Sequence, residues 1–282
     1  MNADERRSPE VPCVVHLRDE YNPLRSVTAA RYGRSEGTGR YGESRLLNPK
    51  VMTLAKRILP HRVLTWLDPF QAVIEREVLL AASRTASGQV VLDAGAGEAR
   101  HRQYFKEGTY LALDFAQGEP AWDYSNLDLL GDLGSIPLQD ASVDRVLCMV
   151  VLEHTRNPEK VLREFARVMK RGAGLHLIVP FLWEEHQAPH DYHRFTRYGV
   201  QLLFESLPFE IELSRPVGGF FWVLGRRCVN LLTFFQHRWR WPFFFILAPF
   251  FGVLFPVALY FLDRLDSDKS HTLGFLIRAR RT

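Results

Sequence analysis

A short glycine turn between two apolar runs constrains the fold of this chain more than any other feature. Val90–Leu92 is an apolar run of the kind that forms a strand buried on both faces of a parallel sheet. It leads through Asp93 to Gly95 and Gly97, where the missing Cβ atoms let the backbone turn tightly and approach a ligand. A second apolar run ends at Asp114, whose carboxylate is suited to accept both hydroxyls of a ribose. The pattern predicts an α/β sheet with a nucleoside site at its first turn.

The turn departs from two phosphate-binding patterns. Ala99 stands near the position of the third glycine of the dinucleotide fingerprint, and no Lys-Ser/Thr pair follows, as a phosphate loop requires. A nucleoside without a pyrophosphate is therefore the expected ligand. Taken alone, Asp93 and Asp132 are equally compatible with capping a turn or a helix.

Further strand and helix signals alternate along the next part of the chain. Gly131-Asp132-Leu133 is followed by Arg145–Leu152, which reads as another buried strand ending at Glu153-His154. Apolar residues then recur at helical spacing over Asn157–Met169, with Asn157 as the N-cap. Leu175–Pro180 is one more strand. This alternation predicts a mostly parallel sheet.

The chain resembles the class I S-adenosylmethionine-dependent methyltransferases over Val90–Phe209, in particular the type 11-like group with small-molecule, lipid or glycan acceptors. The resemblance implies a three-layer α/β sandwich with a seven-stranded, mostly parallel sheet. Its last strand is antiparallel, and Thr272–Ala279 is the candidate for it. The predicted organisation is a flexible polar arm (1–48), N-terminal helices (49–88), the methyltransferase domain (89–217 with 271–282) and an apolar helical insertion (218–270).

The resemblance also implies S-adenosyl-L-methionine as the cofactor. The implied cofactor-binding residues are Asp93, Gly95, Ala96, Gly97, Asp114, Phe115, Asp132, Leu133, Val151 and His154. The glycine turn would line the methionine end and Asp114 the ribose. Asp132 with Leu133 would line the adenine, and Val151 to His154 the floor beside the sulfonium.

The segment after the last of these strands, Glu184–Thr196, is dense in polar side chains. Ligands of open α/β sheets bind in loops beyond the carboxyl ends of the strands, so this segment is expected to face the methyl acceptor. Methyl transfer requires alignment, and a hydroxyl acceptor also requires a base, for which an imidazole is suited. His190, oriented by Asp191, is the first candidate for that base. His186 and His193 are further candidates.

Two other interpretations of this segment stay open. Its three histidines and Asp191 are ligand types of a metal site, but Pro189 breaks the helix that would place His186 and His190 on one face. No metal is predicted on this ground. Alternatively, His190, Asp191 and Arg194 hydrogen-bond the loop into shape without acting on the acceptor.

The insertion carries 11 of the 20 phenylalanines. Trp241–Leu262 holds no formal charge and, at about 1.5 Å per residue, is long enough to cross a bilayer core of about 30 Å. A simple span would put Thr272–Ala279 on the wrong side of the membrane. Prolines 242, 249 and 256 instead favour a bent hairpin that dips into one leaflet. A buried lid or oligomer interface, and a true single span, are the alternatives.

Composition sets the remaining expectations. The net charge of +4 is modest and mixed along the chain, so no nucleic-acid partner is expected, although the polar arm leaves contacts with RNA or anionic lipid open. The three cysteines share no disulfide or metal spacing. The predicted function is methylation, preferably on oxygen, of an amphiphilic or lipid-linked acceptor at the cytosolic membrane face. A soluble small-molecule O-methyltransferase with a helical lid and an inactive cofactor-binding module are the alternatives; the oligomeric state is open.

Overall fold

A mixed sheet of eight strands runs through the centre of the computed structural model, which describes residues 14–15, 51, 57–118 and 122–282. The strands are β1 (Val14–Val15), β2 (Val90–Ala94), β3 (Thr109–Asp114), β4 (Leu129–Leu130), β5 (Val143–Met149), β6 (Met169–Pro180), β7 (Phe209–Pro216) and β8 (Gly274–Arg281). The helices are α1 (His61–Leu67), α2 (Pro69–Ser83), α3 (Pro158–Val168), α4 (Arg197–Phe204), α5 (Phe220–Leu231), α6 (Trp241–Pro249) and α7 (Phe255–Leu262).

The strand order is β1-β4-β3-β2-β5-β6-β8-β7. Neighbours from β4 to β6 pair in parallel, whereas β8 pairs antiparallel with both β6 and β7. Strands β2 to β8 are the predicted seven, with the last one antiparallel, so the fold prediction is confirmed. Strand β1 is an additional edge strand, antiparallel to β4, within the predicted flexible arm. The rest of that arm lies outside the described residues.

Helices cover both faces of the sheet. On one face, α2 buries Phe70, Ile74, Val78 and Ala81 against the sheet. On the other face, α3 buries Val161, Leu162 and Phe165, and α4 buries Val200 and Phe204. Each large apolar side chain removed from water in this way contributes roughly 1.5–3 kcal/mol. The two layers hold the sheet so that the carboxyl ends of its parallel strands form one common edge.

A buried polar cluster links α2 to the sheet. Glu77, 2% exposed, accepts hydrogen bonds from Arg278 (2.6 and 2.8 Å) and from His176 Nδ1. Arg145 donates to His176 Nε2 at 3.0 Å, so this imidazole is neutral with its proton on Nδ1. Burial raises the pKa of Glu77, but the hydrogen bonds from His176 and Arg278 outweigh it and hold the pKa at about 2. The carboxylate therefore stays ionised inside the fold.

Two element boundaries differ from the sequence prediction. Strand β5 ends at Met149 and not at residue 152, because Val150 adopts a φ of +61°, which no strand residue can have. Strand β6 begins at Met169, the predicted last residue of the preceding helix, so segment 170–172 lies inside the strand. Met169 already pairs with Val143 of β5, which draws this segment into the sheet.

The insertion is a helical hairpin formed by 220–265. Helix α5 and the short 3-10 turn after it run outward, and α6, a π-helical turn (Phe250–Leu254) and α7 return. The start of α5 packs against α7, and the turn after α5 packs against α6, so the two arms are antiparallel. The predicted hairpin within 241–262 is wrong: this stretch is one continuous arm. Pro249 and Pro256 flank the π-helical turn, which absorbs their missing hydrogen bonds without a reversal.

The base of this hairpin is fixed to the domain, and most of its outer surface is apolar. Asp263, 5% exposed, accepts hydrogen bonds from the backbone N–H groups of Gly219 (3.0 Å) and Trp222 (3.1 Å) at the start of α5. Trp222 also stacks on Tyr260. The helix over Trp241–Leu265 is long and apolar enough to cross a membrane by length and composition alone, and 6% of its most apolar window is buried.

Candidate functional site

The glycine turn lies at the carboxyl end of β2, as the sequence predicts. Gly95 and Gly97 have φ values of +81° and +54°, and Ala99 adopts a φ of +56° in place of the missing third glycine. The N–H groups of Gly95 and Ala96 both donate to Leu113 O, at 2.8 and 3.0 Å, which ties the turn to β3. The left-handed backbone conformation of Ala99 costs about 1–2 kcal/mol, which the surrounding contacts of the turn must offset.

Asp114 closes the turn from the end of β3. Its Oδ2 accepts the N–H of Gly97 at 2.8 Å and its Oδ1 accepts the N–H of Ala116 at 2.7 Å. Burial raises the pKa of Asp114, and the backbone donors only partly offset this rise. Each oxygen retains a lone pair. The residue therefore shapes the glycine turn and still has acceptors for the two hydroxyls of a ribose.

Asp93 is turned into the protein. It is 1% exposed, and its Oδ2 accepts a hydrogen bond from the Tyr110 hydroxyl and contacts His101 Nδ1 at 2.9 Å. Burial lowers the pKa of His101, but the bond to Asp93 outweighs it and the net pKa is raised. Asp93 thus supports the turn from behind, and its direct contact with a cofactor stays a prediction. Sequence reasoning missed His101 and Tyr110, which no local pattern marks.

The remaining predicted cofactor residues surround the same edge of the sheet. Asp132 is exposed just after β4 and accepts the N–H of Gly134 at 2.8 Å, as in a turn cap. Leu133 is buried, and Phe115 is 36% exposed beside Asp114. One further aromatic residue went unnoticed in the sequence. The ring of Trp122 lies 3.2 Å from the point where a Cβ on Gly97 would stand.

The floor of the site follows β5 through a strained residue. Val150 has a φ of +61°, an outlier for a β-branched side chain that costs roughly 1–3 kcal/mol. Val151 follows, with its two methyl carbons 2.4 Å from an ideal Cβ on Gly95. Only a glycine at position 95 lets the floor and the turn approach so closely. The chain then enters a 3-10 turn, Leu152–His154.

Three side chains with metal-ligand chemistry meet at this 3-10 turn. Glu153 is completely buried, and its Oε1 lies 3.7 Å from His154 Nε2 and 3.6 Å from His186 Nε2. Both carboxylate oxygens and both Nε2 atoms lack a hydrogen-bond partner. Burial lowers the pKa of His154. For His186, burial also lowers the pKa, but Glu153 outweighs it and the net pKa is raised.

The proposed pairing of His190 with Asp191 is not what the structure shows. The carboxylate of Asp191 accepts hydrogen bonds from both Nη atoms of Arg194, at 2.6 and 2.7 Å, and from the backbone N–H of His186, at 2.9 Å. His190 is half-buried, and its Nδ1 lies 3.0 Å from the Tyr192 hydroxyl. Asp191 prefers Arg194 because the planar guanidinium binds a carboxylate with two parallel hydrogen bonds. Asp191 is therefore a loop-shaping residue.

His193 is the last of the predicted catalytic residues. Its backbone N–H donates to Glu153 O at 3.2 Å, beside that of Tyr192 at 2.9 Å, so the acceptor loop is tied to the end of β5. His193 Nε2 is buried without a hydrogen-bond partner. The structure thus brings His154 and His186 together beside Glu153, ties the backbone of His193 to the same turn, and leaves His190 outside this cluster.

This strand order, with a glycine turn after the first central strand and a carboxylate after the second, is the arrangement that the resemblance to class I S-adenosylmethionine-dependent methyltransferases implies. Residues 92–177 match the family model described as "Methyltransferase domain". The resemblance seen in the sequence is confirmed, and S-adenosyl-L-methionine is the cofactor it implies. The chain's own residues fit that group, since Asp114 beside the glycine turn offers two acceptors.

Among known proteins, the chain is similar to two probable S-adenosylmethionine-dependent methyltransferases of Mycobacterium tuberculosis, Rv3030 and MT3114. Each is 32% identical over 140 residues, which cover 46% of this chain and 49% of the relative. The chain thus spans about half the length of these curated relatives. Solved structures with similarity include the [4+2]-cyclase SpnF (TM-score 0.48, 19% identity, 73% of this chain and 80% of that one). Another is a SAM-dependent methyltransferase from Aquifex aeolicus (TM-score 0.40, 20% identity, 58% and 91%).

Proposed function

We propose that this chain transfers a methyl group from S-adenosyl-L-methionine to an oxygen of an amphiphilic, lipid-linked acceptor at the cytosolic face of a membrane. The observation that carries the proposal is the direct contact between the acceptor loop and the exposed apolar hairpin. The alternative, a soluble enzyme whose hairpin covers a small acceptor, predicts the same chemistry without membrane binding.

The chain's own residues divide the work on the cofactor side. When bound, the cofactor supplies an electrophilic methyl group on a sulfonium. Asp114 holds the ribose end, and the turn at Gly95 to Gly97 gives the amino-acid end a close backbone surface. Val151 forms an apolar floor that keeps water from the methyl group. Alignment of the acceptor over this floor is the main catalytic contribution.

For a hydroxyl acceptor, the site must also accept a proton. His190 stays the proposed base: when its Nδ1–H donates to the Tyr192 hydroxyl, Nε2 keeps a lone pair that can accept a proton. His186 is the second candidate, because it lies deeper and its Nε2 has no hydrogen-bond partner. The two are distinguished by the pH dependence of the His190→Gln and His186→Gln variants.

The link between acceptor loop and hairpin runs through Glu184. Its carboxylate accepts hydrogen bonds from Arg226, Arg227 and Asn230 on α5, and Arg226 also lies 3.4 Å over the Trp183 ring. Burial raises the pKa of Glu184, but the Arg226 bond outweighs it and the net pKa is lowered. An acceptor whose apolar tail follows the hairpin therefore has its polar end beside the acceptor loop.

The outer face of the hairpin supports membrane association. Phe245 and Ile246 on α6 are 67% and 64% exposed, and Trp239 at the tip is 71% exposed. Monomeric soluble proteins seldom leave such contiguous apolar surface in water. A crossing is disfavoured, because Arg226 and Arg227 of the neighbouring arm are held on Glu184 at the domain. The hairpin fits the interface of one leaflet.

Vesicle binding tests the membrane part. In Phe245→Asp/Ile246→Asp, two side chains each worth roughly 1.5–3 kcal/mol of apolar burial are lost, so partitioning into phosphatidylcholine–phosphatidylglycerol vesicles should fall by about 100-fold or more. The matched control is Tyr198→Asp/Leu202→Asp, which alters two side chains of similar exposure (76% and 66%) on α4. Equal sedimentation of wild type and both variants would favour the soluble alternative.

The acceptor class is tested with S-adenosylmethionine labelled on the methyl carbon. Incubation with a total lipid extract should place label in the organic phase, in a product that is stable to mild base if the methyl group is an ether. Label that appears only with water-soluble acceptors contradicts the amphiphilic acceptor while leaving the transferase assignment intact.

A further inference from the structure

We propose that Glu153, His154 and His186 form a binding site for one divalent transition-metal ion, with the chemistry of a two-histidine, one-carboxylate site. The sequence prediction considered a metal only on the histidines of the acceptor loop with Asp191. The structure assembles a different set, in which the loop contributes one ligand and the turn after β5 contributes two.

The first argument is an unsatisfied set of buried atoms. Glu153 is 0% exposed, yet neither of its carboxylate oxygens has a hydrogen-bond partner. A buried carboxylate without a partner is costly, and proteins normally pair it, protonate it or give it to a metal. Both facing atoms, His154 Nε2 and His186 Nε2, are also without partners. A ligand at the centre of the three satisfies all of them at once.

The second argument is the tautomer of each histidine. His154 Nδ1 lies 2.7 Å from His190 O, which can only accept, so the proton is on Nδ1. His186 Nδ1 lies 3.2 Å from Glu184 O and 3.3 Å from Asp191 Oδ2, which likewise hold a proton on Nδ1. In the neutral form of each ring, Nε2 therefore presents a lone pair toward the carboxylate. Histidines that bind metals through one ring nitrogen commonly donate the N–H of the other ring nitrogen to an oxygen, as both histidines do here.

The third argument is distance. Glu153 Oε1 lies 3.6 and 3.7 Å from the two Nε2 atoms, beyond hydrogen-bond range, so a proton on His186 does not bridge the pair well. Three ligands at about 2.0 Å from a tetrahedral ion stand about 3.3 Å apart, close to the observed spacing. All three ligand atoms lie within 4.8 Å of one another. Two imidazoles favour Zn²⁺, Fe²⁺ or Co²⁺ over Mg²⁺ or Ca²⁺.

The position gives the ion a role. Val151, two residues before Glu153, faces Gly95 of the cofactor turn, so the ion lies on the acceptor side of the floor. An open coordination position would take the acceptor oxygen, lower the pKa of its hydroxyl and fix its direction. This role rests on the proposed function; the binding of the ion does not.

Zinc binding by the full chain, stripped with a chelator, tests the site. We expect one Zn²⁺ per chain, measured by competition with a fluorescent chelator. In His186→Gln, the affinity should fall by more than about 100-fold, since even the loss of an outer-shell partner costs about 10–100-fold. His190→Gln is the matched control: it lies on the same loop, and its contact with His154 is made by its backbone oxygen, which the substitution keeps.

X-ray absorption of the zinc-loaded wild type keeps the test independent of variants that fold poorly. Two imidazole nitrogens and an oxygen at about 2.0 Å are expected. Sulfur ligands, a single imidazole, sub-stoichiometric zinc, or equal affinities of His186→Gln and His190→Gln would overturn the site and indicate a proton or water between the three residues. Titration of the same samples with S-adenosylmethionine separates the two proposals. A protein that binds the cofactor normally but takes up no zinc refutes only the metal site.

Discussion

Replacement of Asp114 by asparagine is expected to weaken S-adenosylmethionine binding although the two side chains have the same shape. In the wild type, the N–H groups of Gly97 and Ala116 each donate to a different carboxylate oxygen, at 2.8 and 2.7 Å. Asparagine retains one oxygen, so one of these N–H groups must face an NH₂ group. An unsatisfied buried donor costs about 1–3 kcal/mol.

The free protein escapes this cost by letting the glycine turn relax, whereas the bound state needs the turn in place. The loss therefore appears in binding. Hydrogen bonds from the ribose to a neutral amide are also weaker than those to a carboxylate, by about 1 kcal/mol. A total of about 2–4 kcal/mol corresponds to a Kd raised by about 30–900-fold.

Calorimetric titration with S-adenosylmethionine measures the effect. The control is Asp140→Asn, an exposed carboxylate before β5, at the opposite end of the sheet, whose partner is Arg167. The control should leave the Kd within a factor of two. An Asp114→Asn protein that binds the cofactor within threefold of wild type would refute both roles given to this carboxylate.

Two further predictions concern the turn and the core. Gly95→Ala should reduce cofactor affinity by about 100-fold or more in the same titration, because the new Cβ meets the Val151 methyls at 2.4 Å and the backbone φ is +81°. Adding Val151→Ala to this variant should recover part of the loss. Unchanged binding by Gly95→Ala alone would contradict the close approach of the turn and the floor. Glu77→Gln should lower the free energy of unfolding at pH 7 by about 3 kcal/mol in urea titrations, because the pKa of Glu77 is depressed from the usual 4.5 to about 2. The stability that this depressed pKa contributes is present above pH 4.5 and is lost as the pH falls toward 2. The variant should lose less stability than wild type over that range, and Glu210→Gln, an exposed partner of Arg280, should change it by less than about 1 kcal/mol.

Local patterns were sufficient to predict the central sheet. Val90–Leu92 and Leu111–Leu113 are apolar runs whose burial follows from their own composition, and the Asn157 cap works as predicted, accepting the Lys160 N–H at 3.0 Å. The glycine turn is equally local, since Gly95 and Gly97 take left-handed backbone values wherever they stand in such a turn. These features need no information about distant residues.

The site beyond the turn depends on contacts between distant residues, which no local pattern marks. Asp191 was predicted to orient His190 because the two are adjacent in sequence, but a guanidinium three residues away binds the carboxylate better. Glu153 and His186 are 33 positions apart, and only the meeting of the β5 end with the acceptor loop brings them together. The position of the hairpin likewise differs from the prediction, because prolines in sequence favour a reversal, whereas a π-helical turn accommodates these.

The hairpin and the acceptor loop are joined by a continuous chain of hydrogen bonds. The Glu184 carboxylate accepts hydrogen bonds from Arg226, Arg227 and Asn230 of the hairpin. Its backbone carbonyl accepts one from Arg194 of the loop, at 2.8 Å. Arg194 in turn holds Asp191, whose Oδ2 accepts the N–H of His186. Because each of these bonds is charge-assisted and all but that of Arg227 are partly buried, a shift of α5 changes the position of the loop more readily than it breaks the chain of contacts. Whatever the outer face of the hairpin binds, the position of that face and the geometry around His186 are therefore set together.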